Sequence, residues 1–139
     1  MSLIIKADIN DIFKSMTSRS FVSKVFMCNK SEVHRQDDIM FFDTTFTGAD
    51  LHAIESIKLP AFFGDRFEQY QVSFVTTHYV IKHTEDSFIV KYTSIPKESD
   101  MIYKLIGKTT IVLYISIHVN PLDSSLLTCH INRKLLRYD

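Results

Sequence analysis

IKADINDIFKSMTSRSFVSKVF, Ile5 to Phe26, places two helix starts directly behind a strand. Leu3 to Ala7 (LIIKA) is short, apolar and β-branched, which predicts a strand. Asp8 then stands where a helix needs an N-cap, and Asp11 puts a carboxylate in the first turn, at the positive end of the helix dipole. Ile9, Ile12, Phe13 and Met16 follow at i, i+3, i+4 and i+7, one apolar stripe on a helix of about two turns. Thr17 and Ser18 interrupt that stripe and can cap a second short helix, in which Phe21, Val22, Val25 and Phe26 share a face. The chain opens as strand, helix, helix.

Downstream of Glu32 the apolar period changes to two, which predicts five or six further strands with short polar breaks. Ile39 to Phe46 is the first clear run, and His52 to Leu59 is either another strand or an irregular connection. Phe67 to His83 carries Tyr70, Val72 and Phe74 on one face but Tyr79 and Ile81 on the other, which calls for a β-bulge near Thr76 and Thr77. Thr84 to Ser87 (TEDS) reads as a hairpin turn returning into Phe88 to Ser94, and Ile95 to Asp100 as a polar loop. Ile111, Leu113, Ile115, Ile117 and Val119 then alternate with polar residues in the cleanest half-buried strand of the chain. Asn120 to Asp123 (NPLD) has turn chemistry. A last strand with Leu127, Cys129 and Ile131 on one face runs into the basic tail RKLLRYD. The expected class is α+β, a curved antiparallel sheet of six or seven strands with two short N-terminal helices.

The 139 residues suit a single domain, 1–139, with a sizeable core. Sixteen basic and sixteen acidic residues leave no net charge and no run of one sign, which argues against a nucleic-acid partner. Cys28 and Cys129 form no CxxC pair, a usage that suits buried thiols in an intracellular protein better than a disulfide framework. No apolar run reaches the roughly 20 residues of a membrane-spanning helix. Met1, Ser2 and Leu3 read as a leader before the first patterned segment, so the domain is expected to be excised from a longer protein or shortened at its C-terminus. With 45% apolar residues, eleven phenylalanines and no tryptophan, the chain holds more soft lining than two short helices can cover.

Catalytic and metal chemistry find little support in the spacing. His34, His52, His78, His83, His118 and His130 are scattered without metal-ligand spacing, although strand histidines paired across a sheet can converge. The structural expectation for each is an exposed or hydrogen-bonded surface position. His52 with Glu55 is the nearest thing to an acid/base pair. There is no GxSxG, P-loop or GxGxxG, and Gly48, Gly64 and Gly107 are the only glycines. No catalytic residue, metal or cofactor is therefore assigned.

Two segments carry a family resemblance: Ile5 to Phe26, quoted above, and THYVIKHTEDSFIVKYTSIPKESDMI, Thr77 to Ile102. With the spacing from TTIVLYISI to INRKLLRY, their order resembles the helix-grip, StART-like superfamily, and within it the VASt domains of membrane-contact-site sterol transporters. The resemblance covers nearly the whole chain but is one of pattern, and the family's closing C-terminal helix has no counterpart after the last strand. It implies a cytoplasmic, non-catalytic domain, peripheral to membranes, that binds or transfers a sterol or other apolar lipid. The lipid would lie between sheet and helices and exchange at a membrane surface. Phe41 or Phe42, Val72, Phe74, Phe88, Val90, Leu113 and Ile115 are the lining candidates, with Phe41 taken for the first place; ordinary core is their bland role. Ser73, Thr93 or Ser116 would orient a hydroxyl. The loop Pro60 to Gly64, with Phe62 and Phe63 between Lys58 and Arg66, falls where the family's lid lies, or folds inward as core. A cavity-less protein-interaction module and a helix-grip enzyme remain open as other readings.

Overall fold

The computed structural model describes residues 2–54, 69, 71–97 and 108–138. The opening forms as its caps predict. Strand β1 (Ser2–Lys6) leads into α1 (Ile9–Met16), where the Asp8 carboxylate accepts the N–H groups of Asn10 and Asp11 at 2.9 and 3.2 Å. The Ser18 hydroxyl caps α2 (Arg19–Val25) through the Phe21 N–H at 3.2 Å. Cys28 N–H returns to Ser23 C=O at 3.0 Å and Met27 N–H to Lys24 C=O at 3.4 Å, a Schellman ending with Met27 left-handed at φ 55°.

A 3₁₀ turn (Lys30–Glu32), β2 (His34–Gln36) and β3 (Ile39–Thr47) follow, and then α3 (Gly48–Ile54). Helix α3 corrects the expectation of a strand or irregular connection at His52 to Leu59 for its first residues, His52 to Ile54; Glu55 to Leu59 lie outside the described residues. Its start is a reciprocal box: the Thr47 hydroxyl accepts the Asp50 N–H at 3.1 Å, and the Asp50 carboxylate accepts the Thr47 N–H at 2.9 Å. The meander β4 (Gln71–His83), β5 (Ser87–Pro96), β6 (Lys108–Asn120) and β7 (Asp123–Tyr138) completes the order. The TEDS turn closes with Thr84 N–H on Ser87 C=O at 2.8 Å. The basic tail is no tail: Arg133 to Tyr138 pairs with Leu113 back to Lys108 and belongs to β7.

The seven strands make one curved antiparallel sheet in the order β1-β7-β6-β5-β4-β3-β2, open at β1 and β2. Register fixes which side chains share its inner face. Phe42, Thr76 and Ser94 are in line across β3, β4 and β5, as are Met40, His78, Tyr92 and Leu113 across β3 to β6. Met16 and Val22 of the helices close on Met40, Phe42, Phe88, Val90, Tyr92, Ile117, Leu127 and Cys129, which form the core. Phe26, the C-cap of α2, meets Phe42 at 4.8 Å and Tyr92 at 5.1 Å between ring centroids.

The bulge lies elsewhere than expected. Val80 pairs with Val90 and Lys82 with Ile89, so Ile81 is the extra residue. Up to Val80 the inner face is continuous, and the apparent break near Thr76 arises because Thr76 and His78 are polar residues turned inward. The bulge reverses the alternation after it. His83 thereby faces the helices opposite Phe88, and stacks on Phe13 of α1 at 3.9 Å.

Candidate functional site

On the inner face, beyond the Phe26 contact, a small cavity of about 60 Å³ lies among Phe26, Phe46, Tyr92, Ser94, Ile111 and Leu113, with Arg133 of β7 at its side. Each residue is placed by register: Tyr92 opposes Leu113, Ser94 opposes Ile111, and Leu113 opposes Arg133. Apolar rings and aliphatic chains form most of the wall. Three polar residues interrupt it, Tyr92, Ser94 and Arg133.

The Ser94 hydroxyl is the end of a buried ladder. Thr44 and Thr76 hydroxyls stand 2.7 Å apart, and Thr76 and Ser94 hydroxyls 2.6 Å apart, on adjacent strands β3, β4 and β5. Each hydroxyl can donate once and accept twice, so the chain can run in either direction and leaves capacity at its Ser94 end. Tyr92 differs. It is 2% exposed, and its hydroxyl has no hydrogen-bond partner. Burial pushes the phenol well above its ordinary value, so it is a neutral donor seeking an acceptor.

Beside Tyr92, at 5.0 Å in an edge-on contact, lies His78, which is 1% exposed with both ring nitrogens unpartnered. Burial holds this imidazole below its ordinary value; the carbonyls of His78 and Met16 oppose the shift without making hydrogen bonds, and Arg35 adds to it. The histidine is neutral at pH 7. This corrects the surface position expected of it, whereas His34, His83 and His130 are exposed. His118 and His130 do meet across β6 and β7, stacked at 5.5 Å, with the Ser2 hydroxyl 2.8 Å from His130 Nδ1. Among the described residues no three His, Cys, Asp or Glu side chains gather as metal ligands. Cys28 and Cys129 are free thiols, and burial raises both.

Of the lining candidates, Val72, Phe74, Phe88, Val90, Leu113 and Ile115 all take the inner face. Leu113 borders the cavity; Phe88 and Val90 are core beneath the helices, and Phe74 packs edge-on against Phe46 at 5.0 Å. Phe41 is corrected. It lies on the opposite face, stacked on His34 at 5.4 Å, because alternation gives the inner place to Phe42. Ser73, Thr93 and Ser116 are likewise on the outer face, and the inner hydroxyls are Thr44, Thr76 and Ser94. The loop residues Pro60, Phe62, Phe63 and Gly64, with Lys58, Arg66 and Glu55, lie outside the described residues. Tyr92, Ser94, Phe26, Phe46 and Arg133 were not singled out from the sequence. The even-numbered run Val90, Tyr92, Ser94 was the available signal, since it continues the inner face of Phe88.

Comparison with protein-family models, with curated proteins and with solved structures finds no match to this chain.

Proposed function

We propose that this chain is a non-catalytic domain of helix-grip, StART-like type that binds an apolar small molecule with one polar end, such as a sterol, against the inner face of its sheet. The observation that carries this reading is that Tyr92, whose buried hydroxyl has no partner, lines a mostly apolar cavity together with Ser94 and Arg133. A buried hydroxyl without a partner costs about 1–3 kcal/mol, and a ligand hydroxyl accepting from Tyr92 and meeting Ser94 recovers that cost. The strand, helix pair and antiparallel meander also support the type.

The cavity's volume admits roughly four to six water-sized groups, enough for the polar end of a ligand. Small-molecule sites ordinarily run to several hundred Å³. Entry of a whole sterol therefore requires Phe26 to swing off Phe42 and Tyr92, and the short helix α2 is the element that moves. Apolar burial at roughly 25 cal/mol per Å² drives that opening. In this reading exchange takes place at a membrane surface, where α2 can open against lipid; among the described residues no helix is long and apolar enough to cross the membrane.

Organic-solvent extraction of the purified protein followed by mass spectrometry tests the proposal. A co-purifying apolar hydroxyl compound, reduced in Tyr92→Phe, is expected; an extract without any, together with no saturable sterol binding, would contradict it. A second reading has its own observation. β1 is an edge strand with Ile4 69% exposed and Leu3 46% exposed, an edge that suits addition of a partner's strand. Pull-down of a protein partner that is lost on Ile4→Lys, in the absence of any extracted lipid, would favour this interaction module.

A further inference from the structure

On the outer face of the sheet, His118 of β6 and His130 of β7 are diagonal neighbours, since His118 opposes Thr128 and His130 opposes Ser116. Diagonal positions on paired strands are within reach of ring side chains, and the two imidazoles lie 5.5 Å apart between centroids and 22° from parallel. Each Nδ1 is already engaged. That of His118 is 3.3 Å from the Val119 carbonyl, which can only accept, so the proton sits on Nδ1 and Nε2 keeps its lone pair. That of His130 is 2.8 Å from the Ser2 hydroxyl of β1, which can accept in the same way. Among the described residues neither Nε2 has a hydrogen-bond partner. A ring held through Nδ1–H by an oxygen, with Nε2 open, is the arrangement that metal-ligating histidines adopt.

We propose that His118 and His130 together bind one divalent transition-metal ion through their Nε2 atoms, with water completing its coordination. An ion about 2.0–2.1 Å from two imidazole nitrogens, in tetrahedral geometry, holds the ring centroids roughly 5.2 Å apart. The separation here is close to that. The torsion about the bond to each ring has broad wells, and His130 is exposed and His118 half-buried, so both Nε2 atoms can turn to one ion. Ser2, Ser87, Ser116 and Thr128 stand opposite the two histidines in the neighbouring strands, and Asn120 and Asn132 follow them on the same face; none of the six is charged. Two imidazoles without carboxylate or thiolate suit zinc or copper(II) rather than magnesium or calcium. With two protein ligands the ion keeps open positions, in agreement with the lack of any group of three His, Cys, Asp or Glu among the described residues. Because Ser2 belongs to the edge strand β1, an ion here also steadies the place where β1, β7 and β6 meet.

The test is a titration of the ¹⁵N-labelled full chain with zinc chloride, read on the imidazole nitrogens. A saturable one-to-one shift at Nε2 of both His118 and His130 is expected, reversed by EDTA, with His34 and His83 unmoved at the same zinc concentration. His118→Gln and His130→Gln each weaken zinc binding about tenfold or more, and the double variant is hardly weaker than either single one, because one imidazole alone no longer chelates. Saturating zinc raises the melting temperature of the parent chain and not of either variant, since an ion held only by the folded form adds stability. Where a substitution disturbs folding, the shifts of the parent chain decide the matter. No saturable shift, a shift at one of the two histidines only, unchanged affinity in either single variant, or an equal loss in His34→Gln would overturn the proposal.

Discussion

A histidine buried with both nitrogens unpartnered is an acid-sensitive point. Burial lowers the His78 value below the 6.5 of an ordinary imidazole, so the unfolded chain takes up the proton first as pH falls. The stability held by the neutral form is whole above 6.5 and is lost as pH falls from there through the lower folded-state value. Melting temperature is therefore expected to drop between about pH 7 and pH 5, and to drop less in His78→Phe, which keeps a ring against Tyr92; equal drops would remove His78 as the cause. Tyr92→Phe is expected to raise stability by about 1 kcal/mol in denaturant titration, since it deletes an unsatisfied hydroxyl. Thr76→Val is expected to cost about 1–3 kcal/mol, because both neighbours in the ladder lose their partner. These residues were hard to read in the sequence for one reason. Alternation was judged by hydrophobicity, and Thr76, His78 and Ser94 are polar residues on the buried face, so they registered as a change of phase near Thr76. In FF at Phe41 and Phe42 the difficulty was the reverse, two equally apolar residues of which only one can face inward.

At the level of elements, caps were the most readable signals. Asp8 and Ser18 start α1 and α2 where side-chain oxygens stand before apolar stripes, and Asp8→Ala should cost about 1 kcal/mol. TGAD at Thr47 to Asp50 carries the same kind of signal for α3, but the alternation of β3 running straight into it hid the change of period. Met27 ends α2 in the left-handed region, 92% exposed, where its Cβ gains no packing in return for the strain. Met27→Gly should raise stability by roughly 0.5–1 kcal/mol, and a loss instead would show that Met27 makes a contact the Schellman geometry does not require. The bulge was foreseen as a need of β4 but not in its place. Only pairing with β5 reveals that Ile81 is the unmatched residue, and so that His83 turns toward Phe13. The basic end of β7 read as a tail because charge there obscures a strand held by its backbone pairing to β6.

For the whole molecule, the order strand, helix, helix, meander was legible because caps and a change of apolar period mark each step, and the seven-stranded curved sheet follows from it. The site was less legible, since it depends on which residues of five different elements meet at Phe26. The central claim is that an apolar ligand with a hydroxyl end occupies the space beside Tyr92 and Ser94. Filling that space with the protein's own side chain separates binding from folding. Leu113→Trp places a larger ring against the cavity and should leave the melting temperature within a few degrees of the parent. The decisive measurement is a titration of both proteins with a fluorescent sterol. Saturable binding by the parent chain, weakened about tenfold or more in folded Leu113→Trp, is the predicted result; no saturable binding by the parent, or equal binding by the two, would contradict the account.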